Sequence, residues 1–134
     1  MKEKQLIYNA IRTPDGTILV SHHRHDYVAH TDANGDYYSN DGGTEYIRRS
    51  VNKIPAEDLS LYDDEPFEVL REHIFRGTFG EFGNESFRYV KLSEIDDEWL
   101  GAIIDYENEH RPSNPQLKWY YLENEFRNKN NIQL

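Results

Sequence analysis

A chain of 134 residues with no cysteine, 13% aromatic residues and a formal charge of −10 has the length of one domain with a real core, because domains cluster near about 100–150 residues. The lack of cysteine excludes disulfides, a thiolate zinc site and a cysteine nucleophile. No apolar run approaches the ~20 residues of a membrane-spanning helix, and the charged start, Met1 to Gln5, has no apolar signal segment, so the expected setting is the cytoplasm, with no membrane partner.

The predicted elements begin with strands. Residues 5–12 (QLIYNAIR) are rich in strand formers, Thr13-Pro14-Asp15-Gly16 is turn chemistry, and Thr17 to Val20 returns as a second strand. Tyr27 to Thr31 continues extended, Asp32-Ala33-Asn34-Gly35 forms a second turn, and Asp36 to Ser39 makes a further short strand. Asp41-Gly42-Gly43 interrupts the pattern and leads into a predicted short helix over Thr44–Val51, with Ile47 and Val51 on one side. Asp64 reads as an N-cap with Pro66 in the first turn, before Phe67, Leu70 and Ile74 at helical spacing, and Gly77 ends that helix.

Gly77 to Gly83 reads as a flexible segment, and Phe87 to Leu92 alternates as a strand. Ser93 is expected to cap a helix with acids in its first turn and Ile95, Trp99 and Ile103 as its apolar stripe. Arg111 to Pro115 breaks it, Leu117 to Phe126 makes a last helix, and the polar tail from Asn128 is expected to fray. The sum is an α+β fold in which an N-terminal antiparallel β-meander packs with a mostly helical C-terminal part. It forms a single domain, 1–134, with a β-rich unit at 1–55 and an acidic, mainly helical extension at 56–134.

The charge follows that division. Residues 1–55 hold seven Asp/Glu and seven Lys/Arg, whereas 56–134 hold eighteen and eight, so 8 − 18 = −10 lies in the extension. Such a segment repels a nucleic-acid backbone, whose binding needs clustered Lys and Arg, so no nucleic-acid partner is expected. It suits a basic protein partner, or plain solubility.

Two segments carry candidate chemistry. Four of the six histidines lie in Ser21-His22-His23-Arg24-His25-Asp26-Tyr27 and at nearby His30. Imidazole and guanidinium together suit a phosphate or nucleotide; two His and an Asp suit a metal or acid–base work; and imidazoles also serve as plain hydrogen-bonding groups in loops. The second segment is Asp41-Gly42-Gly43-Thr44, followed by Tyr46, Arg48 and Arg49. Glycines entering a helix N-terminus let backbone N–H groups approach an anion, and paired arginines can fork onto phosphate oxygens. A third segment, Gly77-x-x-Gly80-x-x-Gly83 with Phe79 and Phe82, reads as a surface loop or a mobile lid.

His23-Arg24-His25-Asp26-Tyr27-Val28 and Asp41-Gly42-Gly43-x-x-Tyr46-x-Arg48-Arg49 together resemble an uncharacterised family found in tailed-phage genomes and as short bacterial proteins. The short members look like small zinc ribbons with two cysteine pairs, and the longer phage forms are similar through the Gly-Thr-Phe-Gly stretch and the Tyr-Val-Lys-Leu strand. The resemblance covers about residues 6–92. Where the ribbon members place their cysteine pairs, this chain has Thr13-Pro14-Asp15-Gly16 and the turn near Thr31 to Gly35. The resemblance therefore implies a zinc-ribbon-like meander without metal, in a phage accessory protein acting in the host cell cytoplasm.

Three functions follow in order. The first is a non-enzymatic protein that binds a small anionic ligand, such as a nucleotide signal of host defence, and so aids defence evasion. Its expected ligand-binding residues are His23, Arg24, His25, Asp26, Gly42, Gly43, Tyr46, Arg48 and Arg49, with no catalytic residue, cofactor or metal. The second is an acidic interaction module that inhibits a host protein. The third is a phosphoesterase using His23, His25 and Asp26. Monomer and homodimer are both compatible with the sequence.

Overall fold

The computed structural model describes residues 3–134. The fold is α+β, with antiparallel strands in three sheets, three helices and an N-terminal strand meander. Among the described residues no helix is long and apolar enough to cross a membrane. The chain forms two compact units, one ending at Leu70 and one running from Arg71 to Leu134.

In the first unit, β1 (Leu6–Arg12) is the centre of a sheet, with β2 (Ile18–Ser21) on one side and β6 (Glu57–Asp58) and β7 (Leu61–Tyr62) on the other. Asn9, Ala10 and Ile11 are buried in succession instead of alternating, which reflects cover on both faces of β1. A second sheet has the order β3 (Val28–Thr31), β4 (Tyr37–Asp41), β5 (Arg48–Arg49). Ile11 and Leu19 of the first sheet and Tyr38 of the second form a small core of this unit, with Val28 and Ala56 packed against them. The pairing of β6 and β7 with β1 carries 57–62 into this unit as strands, where the sequence over 53–62, with Pro55, reads as a loop at the start of the extension. Only a short helix, α1 (Phe67–Leu70), follows.

The predicted helix over Thr44–Val51 is absent. Gly42 and Gly43, both at positive φ, open a turn closed by the Glu45 and Tyr46 amides on the Gly42 carbonyl, and the chain returns as β5 beside β4. A helix there would gain little from burial, since Ile47 and Val51 stay exposed in the fold.

Tying the two sheets together is a polar network. Arg49 donates from Nε to Asn40 Oδ1 (3.0 Å), from Nη2 to Asn9 Oδ1 (2.9 Å) and Ser60 Oγ (2.7 Å), and from Nη1 to Asp58 Oδ1 (2.9 Å). Asn40 Nδ2 donates to the carbonyls of Asn9 and Leu19, and Asn9 Nδ2 to those of Asp41 and Gly43. The two asparagines are essentially without solvent exposure, so each polar atom needs these partners.

In the second unit β8 (Phe75–Thr78) pairs with β9 (Arg88–Lys91), followed by α2 (Asp97–His110) and α3 (Leu117–Lys129). The helix expected to run from Phe67 to Gly77 ends at Leu70, because Phe75 to Thr78 supplies the partner that β9 requires. Gly77 lies opposite Tyr89 in that pairing, where a Cβ would stand 2.8 Å from the Phe87 ring. It is a close-approach glycine in a strand, not a helix stop.

The cap of α2 is Asp96, whose carboxylate accepts from the Trp99 amide at 2.8 Å, whereas the Ser93 hydroxyl donates to Glu72. Ser93 lies within a single 3₁₀ turn at Leu92–Glu94, and the fully buried Ile95 separates that turn from the cap of the helix. The tail does not fray. Asn131 takes φ 56 after α3, and the Ile132 amide closes on the Arg127 carbonyl, a Schellman-type ending. Leu134 then exchanges hydrogen bonds with Asp97. Glu123, fully buried, receives Arg71 through two nitrogens at 2.8 Å and Arg127 Nε at 2.6 Å, which ties α3 to the segment before β8.

Asn9→Ala leaves the Arg49 guanidinium and the Asp41 and Gly43 carbonyls short of partners. It is expected to lower stability by about 3 kcal/mol, read as a fall in the urea midpoint at unchanged slope.

Candidate functional site

The His-rich segment is the turn between β2 and β3. Its shape is set by main-chain and carboxylate bonds: the Asp26 amide donates to the His23 carbonyl (2.9 Å), and the His22 amide donates to Asp26 Oδ2 (2.8 Å). The Ser21 hydroxyl donates to the Asp26 carbonyl at 2.7 Å and accepts the Gly43 amide at 2.9 Å. The turn therefore leans on the Gly-Gly segment. At Gly43, φ is 55° and a Cβ would stand 2.3 Å from the His23 carbonyl carbon; at Gly42, φ is 107° and a Cβ would stand 2.0 Å from the Tyr46 carbonyl oxygen. Only glycine fits either place.

The two segments that the sequence singles out thus meet, main chain against main chain, and Arg24 extends to Glu45 at 3.9 Å. His23, Arg24 and His25 stand exposed on the turn, and Arg48 is exposed on β5. Tyr27 links them. Its hydroxyl lies 2.9 Å from that of Tyr37, which holds it below the usual tyrosine range, with Arg48 adding to that effect and Asp41 opposing it. His22 is half-buried, and desolvation pushes its imidazole towards the neutral form. Asp26 sits 4.0 Å from His23 Nε2, with its second oxygen on the His22 amide.

Other members of the set serve the fold. The Gly42 amide is taken by Asp41 Oδ1 and the Gly43 amide by Ser21, and no helix starts here, so the expected backbone cradle is not formed. Arg49 points the other way from Arg48, into the Asn9–Asn40 network. Tyr46, half-buried, covers Gly42 through its own carbonyl and ring. Strand alternation at β5 was the signal for this split, and it is hidden if 44–51 is read as a helix.

The turns that would hold the cysteine pairs of a ribbon also lie together. Asp15 accepts from the Thr13 hydroxyl, the Thr17 amide (3.1 Å) and the Ala33 amide (3.1 Å), and its Oδ2 is 2.8 Å from His30 Nε2. Asp32 Oδ1 closes its own turn by accepting the Asn34 and Asp36 amides. Carboxylate–imidazole bonding thus spans the two turns. Among the described residues no group of three or more His, Cys, Asp or Glu is placed to hold a metal.

The second unit holds a feature that sequence reasoning divided between a loop and a helix core. The Gly77-to-Gly83 segment and one face of α2 line an open cleft of about 520 Å³. Trp99, Ala102, Ile103 and Tyr106 fall at i, i+3, i+4 and i+7, a spacing that identifies the shared face but not whether it looks into a core or a cleft.

Compared with protein-family models, with curated proteins and with solved structures, the chain matches none.

Gly43→Ala forces both a left-handed backbone and a clash with His23. It is expected to cost at least about 2 kcal/mol and to shift the amide NMR signals of residues 22–26 far more than those of α3. Hydrogen bonds from Thr13 and His30 hold the Asp15 carboxyl well below the ordinary range. A depressed carboxyl stabilises the fold fully above its unfolded value, about 3.9, and loses that contribution as pH falls towards the folded value. The stability difference between the parent and Asp15→Asn is therefore expected to be constant at neutral pH and to shrink below about pH 4, as followed by urea unfolding at several pH values.

Proposed function

We propose that this protein is a non-enzymatic binder of a small anionic ligand, of the class of a signalling nucleotide, acting as a phage accessory protein against host defence. The observation that supports this is the seat of Gly43 on the His23 backbone: the turn with exposed His23, Arg24 and His25 lies against the Gly-Gly turn that leads into Arg48, whose charge is felt at Tyr27. Guanidinium and imidazole donors around a phenol hydroxyl form a charge-assisted receptor for phosphate oxygens. The backbone contributes shape and not donors, since the Gly-Gly amides are used internally.

A binder fits this patch better than a hydrolase does. The one carboxylate in the His turn, Asp26, is fixed by the His22 amide and holds the loop closed. Arg49 is a structural residue in this account and contributes nothing to the ligand directly.

Native mass spectrometry tests the proposal, on protein purified gently from cells with an active nucleotide-signalling defence. A bound mass matching a nucleotide is expected on the parent. His25→Ala and Arg48→Ala are each expected to weaken binding about tenfold or more, the scale of one lost charge-assisted contact. A parent that binds no nucleotide, or variants that bind as the parent does, would sink it.

A further inference from the structure

The cleft of the C-terminal unit carries its own ligand chemistry. One wall is the α2 face bearing Trp99, Ala102, Ile103 and Tyr106; the other is β8 and the turn after it, from Arg76 to Glu81. Strand and helix run in opposite directions along it. Arg76 reaches Glu107 near the C-terminal end of α2, with Arg111 following at the helix terminus, whereas Glu81 faces Asp96 and Glu98 at the N-terminal end. Between Glu98 and Glu107 the helix rises about 13 Å, so the cleft has a basic end and an acidic end that far apart.

The basic end has charge to spare. Arg76 and Arg111 share one buried carboxylate, Glu107, which also takes Asn114 at 3.0 Å. Burial pushes the Glu107 carboxyl up, but the bonds from Asn114 and Arg111 outweigh it and keep it ionised. The other buried carboxylate of this unit, Glu123, also meets two arginines, yet these are further paired with Glu72 and Asp97. Of the two clusters, the one in the cleft therefore has an uncompensated guanidinium. The Arg111 side chain is 57% exposed.

The middle is aromatic. Phe79 is 57% and Tyr106 49% exposed, large rings left open on a cleft that also shows Trp99. Gly80, at φ 92°, lets the turn carry Phe79 and Glu81 past Glu85, which a Cβ would strike at 2.1 Å. At the acidic end, desolvation together with Asp96 and Glu98 raises the Glu81 carboxyl. A hydrogen-bond donor placed there would relieve that repulsion. An anion, a flat ring and a donor edge in a line are the three parts of a nucleoside phosphate, and the cleft volume lies within the range of small-molecule sites.

We propose that this cleft binds a nucleoside monophosphate, its phosphate on Arg76 and Arg111, its base against Phe79, Trp99 and Tyr106, and its base edge donating to Glu81. The site is separate from the His-rich patch and does not depend on it.

The chain has two tryptophans, Trp99 on the cleft and the buried Trp119, so the two indole N–H signals of nitrogen-15-labelled protein give a direct readout. Titration with GMP or AMP is expected to move the Trp99 indole and leave that of Trp119 in place. Arg111→Ala and Tyr106→Ala are each expected to raise the Kd read from the Trp99 indole at least tenfold, while Lys53→Ala, at an exposed position of the N-terminal unit, leaves it unchanged. Phe79→Ala serves as a check at an exposed ring if loss of the Glu107 partner unfolds Arg111→Ala. No Trp99 shift at millimolar nucleotide would overturn the site. So would a shift abolished by His25→Ala, which places the nucleotide in the N-terminal unit, or inorganic phosphate competing as well as GMP, which removes the aromatic half.

Discussion

The Arg49 guanidinium is where the N-terminal unit is held together. It lies between β1 and β4, the central strands of two separate sheets, and meets an acceptor from each: Asn9 and Asn40. A cation placed there would be costly without partners; with Asp58, Ser60 and both asparagines around it, its donors are met. The consequences run outward. Asn9, oriented by Arg49, uses its Nδ2 to hold the carbonyls of Asp41 and Gly43, and Gly43 in turn supports the His23 backbone. The exposed patch thus sits on a chain of polar contacts that begins in the core. A small domain with few buried hydrophobics in this unit depends on such contacts for a unique arrangement of its two sheets.

The meander was legible because each of its strands is bounded by turn residues whose chemistry is local. Thr13 to Gly16 and Asp32 to Gly35 both close as their sequences indicate, with Gly16 and Gly35 at positive φ. The two stretches expected as helix and found as strand share one cause, which is pairing across a distance. Arg48-Arg49 and Phe75 to Thr78 become strands because β4 and β9 need partners, and nothing in either stretch announces the partner. Helical spacing of Phe67, Leu70 and Ile74 is real, but Ile74 is buried next to a strand instead of on a helix. The proximity of the His-rich and Gly-Gly turns was equally hidden, since it comes from Ser21 and Asn9, neither of which is among the expected ligand-binding residues.

In the C-terminal unit, the excess of acid suggested an outward-facing surface, yet two of those carboxylates are among the most buried groups in the chain. Glu107 and Glu123 have no solvent exposure, and each organises two arginines from different elements. Composition counts such residues with the surface ones. Their position follows from helix geometry: Glu107 continues the buried line of Leu100 and Ile103 on α2, and Glu123 that of Trp119 and Tyr120 on α3. An acid on an apolar helical stripe signals a buried ion pair, and the arginines that answer it lie on β8, before β8, and at the helix ends.

Arg48 and Arg49 show how neighbouring residues of one motif divide between the interior and the surface. On a helix the pair would both flank the N-terminus and fork onto an anion together. On a two-residue strand they face opposite ways, and the inward one is consumed by the network while the outward one remains open to solvent. The same holds for the glycines, whose amides close the turn instead of pointing at a ligand. Any affinity of the N-terminal patch for anions must then come from exposed side chains, His23, Arg24, His25 and Arg48, working in water. Such contacts are screened by salt and weak one at a time; they become strong only when a ligand meets several at once. The seat of Gly43 on the His23 backbone positions the turn that carries three of them.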